Sequence, residues 1–375
     1  MTTILVVAGE ASGDLHGAEL LASLKARRPD LRIIGVGGDR MAPHMDRMLA
    51  HVRDLGVVGF IEVLKHLPQF WRLKRELLKV AKDEHISAAL LIDYPGFNLS
   101  LAKSLRAQIP GVRLHQYVCP QVWAWKKGRI PAMGRLLDTL YCLFDFEPAL
   151  FKGFPVEAIW MGNPLVETVQ PEVDRATFLA ETELDGSRPI VALLPGSRAS
   201  EVTRLLPPMV ELVRDWTQQR PEVQWVLPVA PTLDMASLKA MVGELPVKLV
   251  SHRSYAARTW ADAAMVASGT ATLETALLGT PFAIVYKLNG LTYQMARRLV
   301  KLPHVGLANI VAGQEVAPEL LQGEVNAQRM AQVLSALLTP DEAARRRGLL
   351  ATVRPHLGEP GAADRVASHL IARLP

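Results

Sequence analysis

Val-Ala-Ser-Gly-Thr-Ala-Thr-Leu-Glu-Thr-Ala-Leu-Leu-Gly-Thr-Pro, residues 266–281, reads as the end of a strand, a tight turn and the first turns of a helix. Residues 264–268 form a short apolar run of the kind that suits a buried strand. Gly269 lets the chain turn without a Cβ. Thr270 and Thr272 are candidate caps of the helix, and Glu274 falls in its first turn, where the helix dipole favours a carboxylate. Leu273, Ala276 and Leu277 give that helix an apolar face, and Gly279-Thr280-Pro281 stops it. Such a turn aims unpaired backbone N–H groups outward, where a diphosphate fits. An ordinary strand-to-helix junction has the same residues, so the surroundings must decide.

Outward from this stretch, strand and helix alternate. Residues 190–194 are a strand, Pro195-Gly196-Ser197-Arg198 a turn, and 201–217 a helix. Gly196 permits close backbone approach, Ser197 adds a hydroxyl, and Arg198 can hold a phosphate through a forked contact. Residues 223–229, 247–250 and 281–286 supply further strands, 301–310 a loop holding Asn309, and 325–338, 340–353 and 362–373 closing helices.

The amino-terminal half repeats the alternation. Residues 3–8 are a buried strand, Gly9-Glu10-Ala11-Ser12-Gly13-Asp14 a turn, and the helix that follows runs to about residue 27. The turn does not fit G-x-G-x-x-G, and G-x-x-x-x-G-K-[ST] is absent, so nicotinamide-cofactor and P-loop readings are weak. Ser12 and Asp14 read as helix caps; Glu10, ahead of the cap, reads as functional. A strand at 88–93 delivers Asp93 to its carboxyl end, where a side chain enters a ligand site. There it can serve as a general base or as a turn acceptor. Trp123 and Trp125, beside Lys126 and Lys127, could grip a sugar and a phosphate or simply pack. Asp145-Phe146-Glu147 is similar to the carboxylate pair of metal-dependent sugar transferases, but Pro148 makes it read as a cap.

Residues 57–80 interleave an apolar stripe with cations. Phe60, Leu64, Leu67 and Trp71 follow helical spacing; Ile61 and Phe70 flank them; Lys65, Arg72, Lys74, Arg75 and Lys79 edge the stripe. This is how a helix lies on an anionic membrane, and also how an ordinary helix pair faces a core. Pro68 is expected to split the stretch in two.

At 375 residues, with 49% apolar and 21% charged content, the chain is globular and long enough for two domains. The net charge, 42 − 37 = +5, leans mildly toward anionic partners. Cys119 and Cys142 show neither a disulfide framework nor metal-ligand spacing, which fits a cytosolic setting. No signal peptide is expected at the start of the sequence, nor an uninterrupted run of the roughly 18 apolar residues that a membrane span takes. The expected fold class is α/β, with two doubly wound Rossmann-like domains facing a cleft. The second carries the anion turns, the first the carboxylates and the amphipathic stretch.

The motifs together resemble the lipid-A-disaccharide synthases, sugar-nucleotide transferases of GT-B architecture. The matching pieces are residues 8–14 (AGEASGD), 92–95 (IDYP), 122–125 (VWAW), 193–198 (LLPGSR), 267–274 (ASGTATLE) and 307–309 (LAN). The resemblance implies an inverting transfer from UDP-2,3-diacylglucosamine to 2,3-diacylglucosamine 1-phosphate. The products are a β-1,6 disaccharide and UDP, formed on the inner face of the inner membrane of Gram-negative bacteria. It implies an acceptor- and membrane-facing domain over 1–164, joined by a helix from about 350–375, and a UDP-sugar domain over 165–349. It ties Glu10, Asp93, Arg198 and Asn309 to activity and Glu274 to the ribose. Gly196, Ser197, Ser268, Gly269, Thr270, Ala271 and Thr272 then form the rest of the donor nucleotide site. Asp93 is the first candidate base and Glu10 the second, with no metal and no cofactor expected. Phe60, Ile61, Leu64, Leu67, Phe70 and Trp71 become candidate membrane contacts, the partners being the two acyl sugars and an anionic membrane surface, not nucleic acid. The sequence departs from the family pattern at Gly96, Asn163 and Ala308. Competing expectations are a UDP-sugar epimerase of the same fold and a nucleotide-binding peripheral scaffold without turnover.

Overall fold

Thr-Ile-Leu-Val-Val-Ala, residues 3–8, is buried at every position and forms strand β1, an interior strand of a parallel sheet. The computed structural model describes residues 2–54, 60–124, 126–290 and 302–374, and for residues 11, 54 and 60–67 only the backbone. The chain divides into two units, Met1–Pro164 with Leu357–Pro375, and Leu165–His356.

In the first unit β1 (Thr3–Ala8), β2 (Arg32–Gly37), β3 (Arg47–His51), β4 (Ala88–Ile92), β5 (Arg113–Tyr117), β6 (Thr139–Cys142) and β7 (Glu157–Trp160) build one sheet in the order β3-β2-β1-β4-β5-β6-β7. Every pairing is parallel. A strand covered by helices on both faces has no wet side, so β1 and β4 are unbroken apolar runs. Helices α1 (Ala11–Arg27), α2 (Phe60–Asp83) and α3 (Pro95–Gln108) belong to this unit. Leu20, Leu21 and Leu24 of α1 pack with Ile4 and Val6 of β1. The helix Ala362–Ile371 brings Val366, Ala367 and Leu370 into the same cluster, so the carboxyl-terminal stretch completes this core.

The second unit contains β8 (Ile190–Leu194), β9 (Gln224–Val229), β10 (Val247–Ser251), β11 (Ala263–Ala267), β12 (Phe282–Tyr286) and β13 (Glu319–Leu321), in the parallel order β10-β9-β8-β11-β12-β13. The helix Ala199–Gln219 buries Val202, Leu205, Leu206, Met209, Leu212, Val213 and Trp216 against the sheet. In each sheet the strand order reverses once, between β1 and β4 and between β8 and β11. Ligands of open parallel sheets bind outside the carboxyl ends of the strands at such a reversal. The turns singled out in the sequence stand at these four strand ends.

Some local expectations fail for tertiary reasons. Pro68 does not split its stretch, because α2 runs unbroken through it. One proline in a helix interior costs about 3 kcal/mol. The buried Leu73, Leu77, Leu78, Val80 and Ala81 on the same helix outweigh that cost. The helix Ala199–Gln219 likewise absorbs Pro207 and Pro208. Strands β3, β6 and β13 are short and have no apolar run long enough to read, and part of the 301–310 loop is a helix, Leu307–Ala312.

Candidate active site

At the first reversal, β1 ends into Gly9-Glu10 and β4 ends into Asp93-Tyr94, with Ala8 paired to Ile92. Glu10 is exposed, and its extended backbone starts α1. Its carbonyl accepts from Asp14 N at 3.0 Å. Asp93 is half-buried at φ 49°, and Tyr94 follows at φ 46°. Left-handed backbone costs a non-glycine residue about 1–3 kcal/mol and is kept where surroundings over-determine it. Burial pushes the Asp93 carboxyl above its ordinary range, while hydrogen bonds from the Tyr94 backbone and the Ser12 hydroxyl pull it back. A carboxylate shifted upward in this way is a better proton acceptor than a free one. Gly9 is required here, since a Cβ on it would stand 2.2 Å from the Tyr94 ring.

Two cap readings are corrected at this edge. Ser12 lies inside α1, behind the N-cap Glu10, and makes no cap hydrogen bond. The buried Asp14 carboxylate accepts from Gly38 N at 2.7 Å, Met41 N at 3.1 Å and Arg40 N at 3.2 Å, so it anchors the loop after β2. The sequence could not show this, because the donors lie 24 to 27 residues away.

The amphipathic stretch divides. Trp71 is 60% exposed, with Lys74 Nζ 5.7 Å from its ring, and Arg72, Arg75 and Lys79 are exposed as well. Phe70 instead turns inward, half-buried, with its ring centroid 6.0 Å from Phe97 and 6.4 Å from Tyr94. It supports the Asp93-Tyr94 turn and is no free membrane contact. The side chains of Phe60, Ile61, Leu64 and Leu67 lie outside the described residues.

Glu147 stands at the N-cap of the short helix Pro148–Phe151, with proline at its start, but its side chain is fully buried and makes no cap hydrogen bond. Its carboxylate accepts from Trp123 Nε1 and Leu143 N, both at 3.0 Å, and Phe144 N at 3.2 Å. Burial raises its pKa to about 7. Trp123 therefore packs beneath this turn against Phe144 and Phe146, and is not an open sugar platform. Trp125 lies outside the described residues. Cys119 and Cys142, 23 positions apart in the sequence, meet Glu147, their ligand atoms within 4.8 Å of one another. Sequence spacing excluded such a group; the β5–β6 neighbourhood creates it.

At the second reversal, β8 runs into Pro195-Gly196-Ser197-Arg198. Gly196 takes φ 112°, and a Cβ there would lie 2.4 Å from Glu201 Oε2. Glu201, which sequence reasoning passed over, organises the turn. It accepts from Ser197 N at 3.1 Å and Arg198 N at 3.3 Å, and pairs with the Arg198 guanidinium at 2.9 Å. A carboxylate already sits on these amides, as an anion at a helix start should. The Arg198 side chain remains 66% exposed, so its remaining N–H groups face solvent.

Strand β11 runs into Ser268-Gly269, with Gly269 at φ 142°, and the helix Thr270–Leu278 follows. Thr270 is exposed and Ala271 half-buried at its open end. Neither threonine caps: Thr272 is buried, donates to Gly269 O at 2.8 Å and accepts from Ala308 N at 3.2 Å. Glu274 is gripped by the buried Arg258 at 2.7 Å and accepts from the Tyr255 hydroxyl at 3.3 Å. A carboxylate has about four lone-pair sites. With these two bonds made, Glu274 keeps capacity for a further hydroxyl donor.

Asn309 is fully buried. Its Nδ2 donates to Ala317 O and Glu319 Oε1, both at 2.8 Å, and its Oδ1 accepts from Val316 N at 2.9 Å and Ala317 N at 3.0 Å. Glu319 in turn accepts from Gly306 N and Val305 N, both at 2.9 Å, and Val305 O accepts from Ser268 Oγ at 3.1 Å. The amide is spent within the protein and acts on the anion turn through Glu319 and the Val305-Gly306 backbone. Glu319 had no sequence signal, since its importance lies wholly in what the fold places around it.

The sequence profile of the family described as lipid-A-disaccharide synthetase matches residues 4–362. The lipid-A-disaccharide synthase of Myxococcus xanthus is 42% identical over 378 residues, covering 99% of this chain and 97% of that protein. That of Geobacter sulfurreducens is 39% identical over 375 residues, with 99% and 97% covered. Among solved structures, the UDP-GlcNAc 2-epimerase of Neisseria meningitidis superposes with a TM-score of 0.66 at 10% identity, over 99% of this chain and all of that one. The glycosyltransferase of kitacinnamycin superposes with a TM-score of 0.66 at 16% identity, over 100% and 99%. The structural likenesses carry the two-sheet GT-B fold, which epimerases and transferases share, and the sequence relatives decide between them. The chain belongs to the lipid-A-disaccharide synthetase family and is a hexosyltransferase that forms the lipid A disaccharide.

Proposed function

We propose that the chain transfers 2,3-diacylglucosamine from UDP to the 6-hydroxyl of 2,3-diacylglucosamine 1-phosphate, inverting the anomeric carbon, with Asp93 as base. The observation that carries this reading is the division of labour between the two strand-order reversals. Acids stand at one, Glu10 and Asp93, and anion-binding turns at the other, around Arg198 and Thr270.

The acceptor hydroxyl is a weak nucleophile and gives its proton to Asp93 as its oxygen bonds to the anomeric carbon. The bond from that carbon to the diphosphate oxygen breaks, and UDP leaves with the electron pair. The developing charge falls on the Ser268–Thr272 amides and the Arg198 guanidinium, fixed donors that need no rearrangement. Glu274, held by Arg258 and Tyr255, takes a ribose hydroxyl. Asn309 serves the donor site from behind, through Glu319. Burial, and after it the charge of Glu10, raise the Tyr94 phenol, and Glu10 is the alternative base.

Both substrates carry acyl chains, so the reaction belongs at a lipid surface. Among the described residues no helix is long and apolar enough to cross a membrane. The exposed Trp71, Arg72, Arg75 and Lys79 of α2 supply an aromatic anchor and cations for an anionic bilayer. We assign the work to the inner face of the inner membrane.

The test is turnover of the UDP-diacyl sugar with and without acceptor, by wild type and Asp93→Asn. UDP release only with acceptor supports the transfer, and Asp93→Asn is expected to lower kcat on the order of 100-fold or more while UDP binds as before. Turnover within a few-fold of wild type removes Asp93 as the base.

A further inference from the structure

Between β4 and β5 the structure holds two buried side-chain amides with one shared target. Asn98, fully buried on α3, reaches with its Nδ2 to Asp93 O at 2.8 Å and to Ile92 O and Val7 O, both at 3.3 Å. Gln116, fully buried on β5, reaches with its Nε2 to Asp93 O and Tyr117 O, both at 3.2 Å, and to Val118 O at 3.4 Å. The carbonyl oxygen of Asp93 is therefore gripped from two elements at once.

The same short region contains the strained backbone. Asp93, Tyr94 and Val118 all have positive φ, at 49°, 46° and 71°. Asp visits this conformation at modest cost, but a β-branched valine there is an outlier. Strain of this kind relaxes unless neighbouring contacts forbid it. The contacts that forbid it here are the two amides and the bond from Asp93 N to Tyr117 O at 2.9 Å. Both amide oxygens, Asn98 Oδ1 and Gln116 Oε1, are buried with no partner among the described residues. Flipping either amide would set an oxygen against three carbonyls, so the orientation is fixed. A leucine or methionine would fill these positions without orphaning an acceptor, so what the amides contribute is their N–H groups.

We propose that Asn98 and Gln116 are positioning residues that lock the Asp93-Tyr94 turn left-handed, so that the acid is aimed before substrate arrives. The two come from α3 and β5, which is why no single sequence motif announces them. The clamp fixes the backbone that carries the acid. Removing either amide leaves the acid present but misaimed, and a small misplacement of a reacting group is enough to slow a reaction severely. The titratable groups beside this turn are Glu10 at the start of α1, Tyr94 on the turn itself and His16 on α1, whose ring lies 6.3 Å from Tyr117.

This inference rests on Asp93 being the base, and its test keeps the two apart. Asp93→Asn, Asn98→Leu and Gln116→Met are made in the full chain. Each is assayed for kcat, KM and UDP affinity, with thermal unfolding as the check on folding. Asn98→Leu and Gln116→Met are each expected to lower kcat about tenfold, with KM little changed and UDP affinity at the wild-type value. Full kcat in the folded amide variants, with Asp93→Asn inactive, overturns the mount and leaves the base in place. An active Asp93→Asn removes the base itself. If one amide variant does not fold, the other decides alone.

Discussion

The two strand-order reversals share a plan and differ in chemistry. In both, two central parallel strands end side by side and the turns beyond them carry the functional groups. Between β1 and β4 the candidate groups are side chains, Glu10 and Asp93, with Asn98 and Gln116 bonded to the Asp93 carbonyl. Between β8 and β11 the groups are mostly backbone amides, with Arg198 and Glu274 held by Glu201 and Arg258. Base catalysis needs one carboxylate with a tuned affinity for protons, which burial provides. Holding a diphosphate needs many donors and little tuning, which glycine turns and helix starts provide. On the proposed reading, the same fold used twice separates bond-making from leaving-group capture.

Mutations at the two reversals should therefore fail differently. The largest effect is the loss of kcat in Asp93→Asn, with UDP affinity preserved. Arg198→Ala should do the opposite, weakening UDP binding by about 10- to 100-fold, since a charged hydrogen bond contributes about 1.5–3 kcal/mol. Titration calorimetry with UDP checks both. Tight UDP binding in Arg198→Ala, or its loss in Asp93→Asn, would break the division.

Asn309→Ala sharpens it. Removing this amide takes one donor from Glu319, which Val305 N and Gly306 N still serve, and leaves the buried Ala317 N–H without its acceptor. The expected loss of stability is about 2–4 kcal/mol, read as a lower denaturant midpoint, with a smaller drop in UDP affinity than in Arg198→Ala. An unchanged midpoint with UDP binding abolished would mean that Asn309 touches the nucleotide directly.

The smallest effect concerns Glu147. Its folded pKa of about 7 lies above the ordinary 4.5 because burial disfavours the charge. Between those values the folded chain keeps a proton that the unfolded chain has lost. Glu147 therefore contributes stability that is full below about pH 4.5 and is lost as pH rises through about 7. Glu147→Gln should lack this slope. Unfolding midpoints of the two proteins across that range should differ by an amount that changes with pH, and a constant difference refutes the assignment.

What could be read from residue order follows from local physics. Unbroken apolar runs such as Ala88–Ile92 mark doubly covered strands, and glycine turns such as Gly196 and Gly269 mark places where only that residue fits. Those signals sufficed for two parallel α/β units and put Glu10, Asp93 and Arg198 forward as candidates. Asp14 was legible as a polar residue at a helix start but read as a cap, because its partners lie 24 to 27 residues away. Pro148 marked the short helix behind Glu147, whereas the Glu147 carboxylate and the Thr272 hydroxyl each gain a partner far along the chain.

Residue order by itself determined the alternation of strand and helix and the residue types at the strand ends, because propensity, turn geometry and apolar patterning act over a few neighbours. Only the tertiary structure decided that Pro68 stays inside one helix, that Cys119 meets Cys142 and Glu147, and that Asn98 and Gln116 converge on one carbonyl. Those outcomes depend on burial and on hydrogen bonds between segments far apart in the chain. Their energies exist only once the sheet has brought the segments together.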